Sequence, residues 1–166
     1  MSVFSVMWRQ RAAGATIAVL AAAGTLLARQ DGRATIRPED VPWPAARAGG
    51  AGTSGAGGIE TVILKGDPAK PGLYTLMLRV APNVRIQAHS HGDDRVATVV
   101  KGTWYFGYGE KFDEAALTPL GPGSFYTEPP KVPHFAMTKE QVVLQITGTG
   151  PSSTTYVDAA NDPSRR

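Results

Sequence analysis

The stretch Asn83–Gly102, "NVRIQAHSHGDDRVATVVKG", governs how the rest of the chain is read. It is rich in β-branched residues, it is broken once by Gly92-Asp93-Asp94, and it carries two of the three histidines in the chain, His89 and His91. Side chains alternate across a strand, so Gln87, His89 and His91 are expected on one face and Ile86, Ala88 and Ser90 on the other. Two imidazoles at this spacing can reach a single ion or ligand. The third histidine, His134, stands 43 residues after His91 in "PPKVPHF". A lone histidine on a strand is ordinarily a satisfied structural residue. Two on one face, with only one other in the chain, point instead to shared duty at a metal or active site.

Outward from this stretch the pattern repeats. Short β-rich runs follow one another from Ile59: "IETVILKG", "GLYTLMLRV", "TWYFGYG", "GSFYTEP", "HFAM" and "QVVLQITG". Turn residues divide them, among them Gly66-Asp67-Pro68, Pro82-Asn83, Lys101-Gly102 and Gly121-Pro122-Gly123. Only "EKFDEAALT" has helical composition, and it is short. About eight strands without βαβ alternation predict an all-β fold, a single antiparallel barrel or sandwich of jelly-roll type.

Toward the N-terminus the composition changes. Arg9 and Arg11 precede an apolar run from Ala12 to Ala28, the order of a secretory signal, which predicts a signal peptide or N-terminal anchor over 1–28 and a periplasmic or secreted protein. The run is rich in Ala and Gly, so no stable membrane insertion is expected after processing. Residues 29–58 read as an extended arm followed by a Gly-rich linker, "AARAGGAGTSGAGG" from Ala45 to Gly58; Trp43 in the arm is expected to dock on the domain. The barrel is expected over 59–157 and a disordered tail over 158–166. The formal charge of +3 rests on Arg9, Arg11 and Arg29; without them 14 basic residues face 14 acidic ones, so no nucleic-acid partner is expected. The absence of cysteine excludes disulfides, thiolate metal sites and thiol nucleophiles.

The sequence from Ile59 to about Val157 resembles the cupin superfamily. Its first motif, G-x5-H-x-H-x(3,4)-E-x6-G, is met by Asn83, His89, His91, Arg95 and Gly102. Its second, G-x5-P-x-G-x2-H-x3-N, is met by Gly123, Pro129, Lys131, His134 and Thr138. The histidines agree; Asn83, Arg95, Lys131 and Thr138 depart. The wider pattern, from "VPWP" to "TGTGPSSTTYV", resembles exported bacterial single-domain cupin proteins. The resemblance implies a jelly-roll barrel with a divalent transition metal (Fe, Zn, Mn, Ni or Cu) held by His89, His91 and His134.

Arg95 stands where the motif has a glutamate, and arginine cannot ligate a cation. Three readings are open: a fork for an anionic substrate, a pair with an internal carboxylate such as Glu128, or a side chain turned to solvent. Asp94 is an alternative carboxylate or an exposed one. Gln87 and Tyr105 complete the candidate pocket with Arg95. The expected partner is a small-molecule substrate or ligand, and a homodimer is compatible with the fold. The function expected is that of an exported metal-binding cupin acting on a small organic compound, anionic where Arg95 serves as the fork, by oxygenase or isomerase/lyase chemistry, the alternative being non-catalytic small-molecule or metal binding or sensing.

Overall fold

The computed structural model describes residues 33–44 and 50–165. The chain divides into two compact units, Met1–Ala34 and Thr35–Arg166. Of the first only Arg33 and Ala34 are described, so the signal segment expected over 1–28 lies outside the described residues, as does the start of the Gly-rich linker, 45–49.

The second unit is built of ten strands: β1 (Ile59–Lys65), β2 (Gly72–Val80), β3 (Arg85–His91), β4 (Arg95–Lys101), β5 (Trp104–Tyr108), β6 (Thr118–Leu120), β7 (Phe125–Glu128), β8 (His134–Met137), β9 (Val142–Gly150) and β10 (Thr154–Tyr156). They form two five-stranded sheets, β1-β2-β9-β4-β7 and β10-β3-β8-β5-β6. Every pairing is antiparallel. Chain neighbours β3 and β4 sit in different sheets, so the strand that carries His89 and His91 faces the strand that carries Arg95 across the interior. The eight sequence-read strands are all present. The two additional ones, β6 and β10, are three residues each, too short for an alternating pattern to show.

Alternation sets the core. Leu76, Leu78 and Val80 of β2, Leu144 and Ile146 of β9, and Ala97 and Val99 of β4 pack against Ile86, Trp104, Phe106 and Ala136 from the second sheet. Each large aliphatic side chain buried this way contributes about 1.5–3 kcal/mol. The arm docks as expected, but on the outer face of the first sheet: Ile36, Val41 and Trp43 pack with Val62, Met77 and Val143, and the Arg79 guanidinium lies 4.5 Å from the Trp43 ring centroid.

Two expectations need correction. Residues 50–58, read as part of a flexible linker, form a strap across one end of the barrel. Thr53 and Ser54 are buried, Thr154 Oγ1 donates to the Thr53 carbonyl (2.8 Å) and Tyr156 Oη to the Ser54 carbonyl (2.9 Å). Gly- and Ala-rich composition shows no apolar period, and bonds to backbone carbonyls need none. Residues 158–165, read as a disordered tail, form two 3-10 turns, Ala159–Asn161 and Pro163–Arg165. Asp158 Oδ1 accepts from the Ala160 N–H and Asp162 Oδ1 from the Ser164 N–H, which satisfies amides that would otherwise need water.

The motif positions that depart from glycine keep its backbone. Asn83 and Lys131 have φ of 60° and 62°, the only positive values outside glycine among the described residues. Gly102, which closes the first motif, has φ of 79°, and a Cβ there would stand 2.5 Å from the Gln141 carbonyl oxygen. Gly102→Ala is therefore expected to lower stability by about 2–4 kcal/mol, combining left-handed strain with a backbone clash. A urea-denaturation midpoint within error of wild type would contradict this.

Candidate metal centre

The three histidines converge from two strands. β3 supplies His89 and His91, and β8 supplies His134, which stands directly opposite His89 in the pairing register. All three are buried, and their ligand nitrogens lie within 4.8 Å of one another. The geometry depends on a β-bulge. Between Ile86 and His89 the register advances three residues on β3, against two on β8, from Ala136 to His134. The extra residue lets Ile86 and His89 both face the interior, where strict alternation would separate them.

That bulge displaces one candidate. Gln87, expected beside the histidines, lies instead with Arg85, Lys111 and Phe112 in a surface depression outside the barrel. Ala88 packs outward on Phe112 and Phe135. Tyr105 also falls outside. Trp104 and Phe106 line the interior and Tyr105 alternates away from them, its ring 4.8 Å from the Lys139 ammonium. Asp94 is exposed, whereas its neighbour Asp93 is buried and accepts a hydrogen bond from Tyr74 Oη at 2.6 Å.

Each imidazole has its Nδ1 against the chain: His89 on the Gln87 carbonyl (2.8 Å), His91 on that of Ser153 (3.1 Å), His134 on that of Val132 (3.0 Å). A carbonyl only accepts, so each Nδ1 carries the proton and each Nε2 keeps its lone pair. The Nε2 atoms of His91 and His134 are buried with no hydrogen-bond partner. A buried acceptor left unpaired costs about 1–3 kcal/mol, a cost that coordination of an ion removes. Three convergent imidazole lone pairs, each ring fixed through its other nitrogen, fit a divalent transition metal.

Burial, reinforced by Arg95 and opposed by Glu128, holds the rings neutral. It pushes the His89 pKa down to about 3 and that of His91 down to about 2, and it lowers that of His134. The unfolded rings titrate near 6.5. Below that pH the unfolded chain takes up protons that the folded one refuses, so the stability of the metal-free protein should fall as pH drops from 6.5 toward about 3. The slope approaches ~1.4 kcal/mol per pH unit for each histidine. Urea midpoints that stay flat from pH 7 to 4 would contradict it.

Arg95 faces inward and is 2% exposed. It stands opposite Glu128 in the β4–β7 register. Nε donates to Glu128 Oε2 at 2.9 Å, Nη2 makes a shorter bond to the same oxygen, and Nη1 donates to the Gly52 carbonyl of the strap at 2.6 Å. The reading in which Arg95 pairs with an internal carboxylate is the one realised. Burial opposes ionisation of Glu128, but the Arg95 guanidinium together with His134 and His91 outweighs it and holds the carboxyl pKa at about 2. Glu128 Oε2 lies 3.8 Å from His91 Nε2 and 3.7 Å from His134 Nε2. These groups line a cavity of about 30 Å³ walled by Trp104, Phe106 and Tyr126 and closed on one side by Gly52–Ser54. That is room for an ion and one or two waters, at about 10–15 Å³ for a water. The strap was invisible in the sequence, because its contribution is a carbonyl group.

No family model matches the chain, and no curated protein matches it. Solved structures do. The polyketide cyclase RemF from Streptomyces resistomycificus is similar with a TM-score of 0.61 and 18% identity, over 79% of this chain and 89% of that one. An RmlC-like cupin from Shewanella frigidimarina NCIMB 400 gives 0.50 and 17%, over 69% and 87%. Salicylate 1,2-dioxygenase from Pseudoaminobacter salicylatoxidans, in its adduct with gentisate, gives 0.50 and 16% over 59% of this chain; the match spans 28% of the dioxygenase.

Proposed function

Taking the cupin fold of this barrel as the premise, we propose that the chain is a metal-binding protein acting on a small organic compound, by oxygenase or isomerase/lyase chemistry. The observation that carries the metal reading is the convergence of the His89, His91 and His134 rings, each with Nδ1 spent on the backbone and Nε2 turned to a shared point. When bound, a divalent ion supplies a Lewis acid or, for a redox metal, an electron donor. The protein's own groups set what reaches it. Trp104, Phe106 and Tyr126 exclude bulk water, and the buried Arg95–Glu128 pair places a neutralised carboxylate beside the histidines.

A second reading, binding without turnover, is favoured by one observation: the cavity of about 30 Å³ leaves little room for a substrate while the strap is in place. Export belongs to the same proposal and is supported by the arginine-flanked apolar run 12–28. Anaerobic purification and elemental analysis should find one transition-metal ion per chain. Absence of metal after reconstitution would overturn the reading. Intact mass of the native protein should show that the segment to about Ala28 is gone, and a mass beginning at Met1 or Ser2 would count against export with cleavage.

A further inference from the structure

We propose that Glu128 is the fourth protein ligand of this centre and that Arg95 is the residue positioning it. The inference rests on the three-histidine metal reading above and extends it to a strand that neither histidine motif position occupies. Ligands ~2.1 Å from one ion stand about 3.4 Å apart at the tetrahedral angle. Glu128 Oε2, at 3.8 and 3.7 Å from the Nε2 atoms of His91 and His134, is within a few tenths of an ångström of that separation. Those are the two imidazole nitrogens left buried without a hydrogen-bond partner among the described residues.

The charges require the same arrangement. Three imidazoles leave a dication uncompensated, and a guanidinium buried close by adds repulsion. Glu128 lies between the two cations as the anion both need. Arg95 directs Nε and Nη2 to the same oxygen, which fixes the rotation of the carboxylate that faces the histidines. Register explains how the carboxylate reaches the site. Positions 95 and 128 are paired neighbours on β4 and β7, so a carboxylate on either strand enters the interior at nearly the same height. In this chain the carboxylate comes from β7, and the position on β4 holds its partner.

The competing role, a buried ion pair that only closes the barrel, predicts no effect on metal. The test measures Zn(II) affinity by chelator competition and the visible spectrum of the Co(II) form. Three proteins are compared: wild type, Arg95→Leu/Glu128→Leu, and Glu128→Asp. The double variant leaves no buried charge behind, and Glu128→Asp keeps the pair while drawing the carboxylate back by one methylene. Zn(II) binding about 100-fold weaker in the double variant and about 10-fold weaker in Glu128→Asp is expected, with a changed Co(II) spectrum in both. Wild-type affinity and an unchanged Co(II) spectrum in both variants would remove Glu128 from the shell and leave the three-histidine reading standing. A wild-type protein that takes up neither ion would overturn both.

Discussion

In the metal-free protein, Arg95→Leu alone should destabilise the fold by about 3–5 kcal/mol, and adding Glu128→Leu should restore most of the loss. The single change leaves a carboxylate 5% exposed, with its guanidinium partner gone and only the neutral His91 and His134 rings nearby. It also frees the Gly52 carbonyl of the strap. The double change replaces a buried pair with aliphatic groups, which in an apolar interior is often neutral or better. With total stabilities of about 5–15 kcal/mol, the single variant is expected to be largely unfolded at modest urea concentrations. Urea unfolding of Arg95→Leu and of the double variant decides it. A single variant within ~1 kcal/mol of wild type would mean that water reaches the pair.

His134→Leu should weaken metal binding by about 1,000-fold, beyond the 10–100-fold typical of losing a supporting contact. The same substitution should leave the metal-free fold as stable as wild type or slightly more so. The reason is the unpartnered Nε2: in the absence of an ion it is a buried polar atom without a bond, at a cost of about 1–3 kcal/mol, and leucine removes it. A packing histidine would behave in the opposite way, with metal content unchanged and stability reduced. Metal titration and thermal unfolding of the apo protein together separate the two, and loss of stability without loss of metal would sink the assignment.

The sequence carried the interior well where a residue's role depends on alternation along one strand. His89 and His91 lie on one face because they stand two positions apart. Glu128 and Tyr126 both line the interior for the same reason. Gln87 was misplaced because a bulge is an event of pairing. Its cause is the count of residues on β8 opposite, which no reading of β3 alone contains. Tyr105 was misplaced by parity: on β5 the inward positions are those of Trp104 and Phe106. Composition hides the strap: glycine and alanine signal flexibility, whereas the contacts of 52–54 run through carbonyl oxygens. Arg95 was legible as an anomaly, a cation where a ligand was expected. Its resolution needed the strand lying beside it.

The pairing of Arg95 with Glu128 also bears on ancestry. Arg95 without Glu128 is a buried unmatched charge, for which a chain of ordinary stability has little margin, whereas the carboxylate without the arginine still faces the ion. A lineage moving its carboxylate from β4 to β7 must therefore gain the acid at 128 before the arginine at 95. Related barrels should accordingly show the residues at these two positions changing together, and the rare departures should fall in chains that have given up the histidines as well.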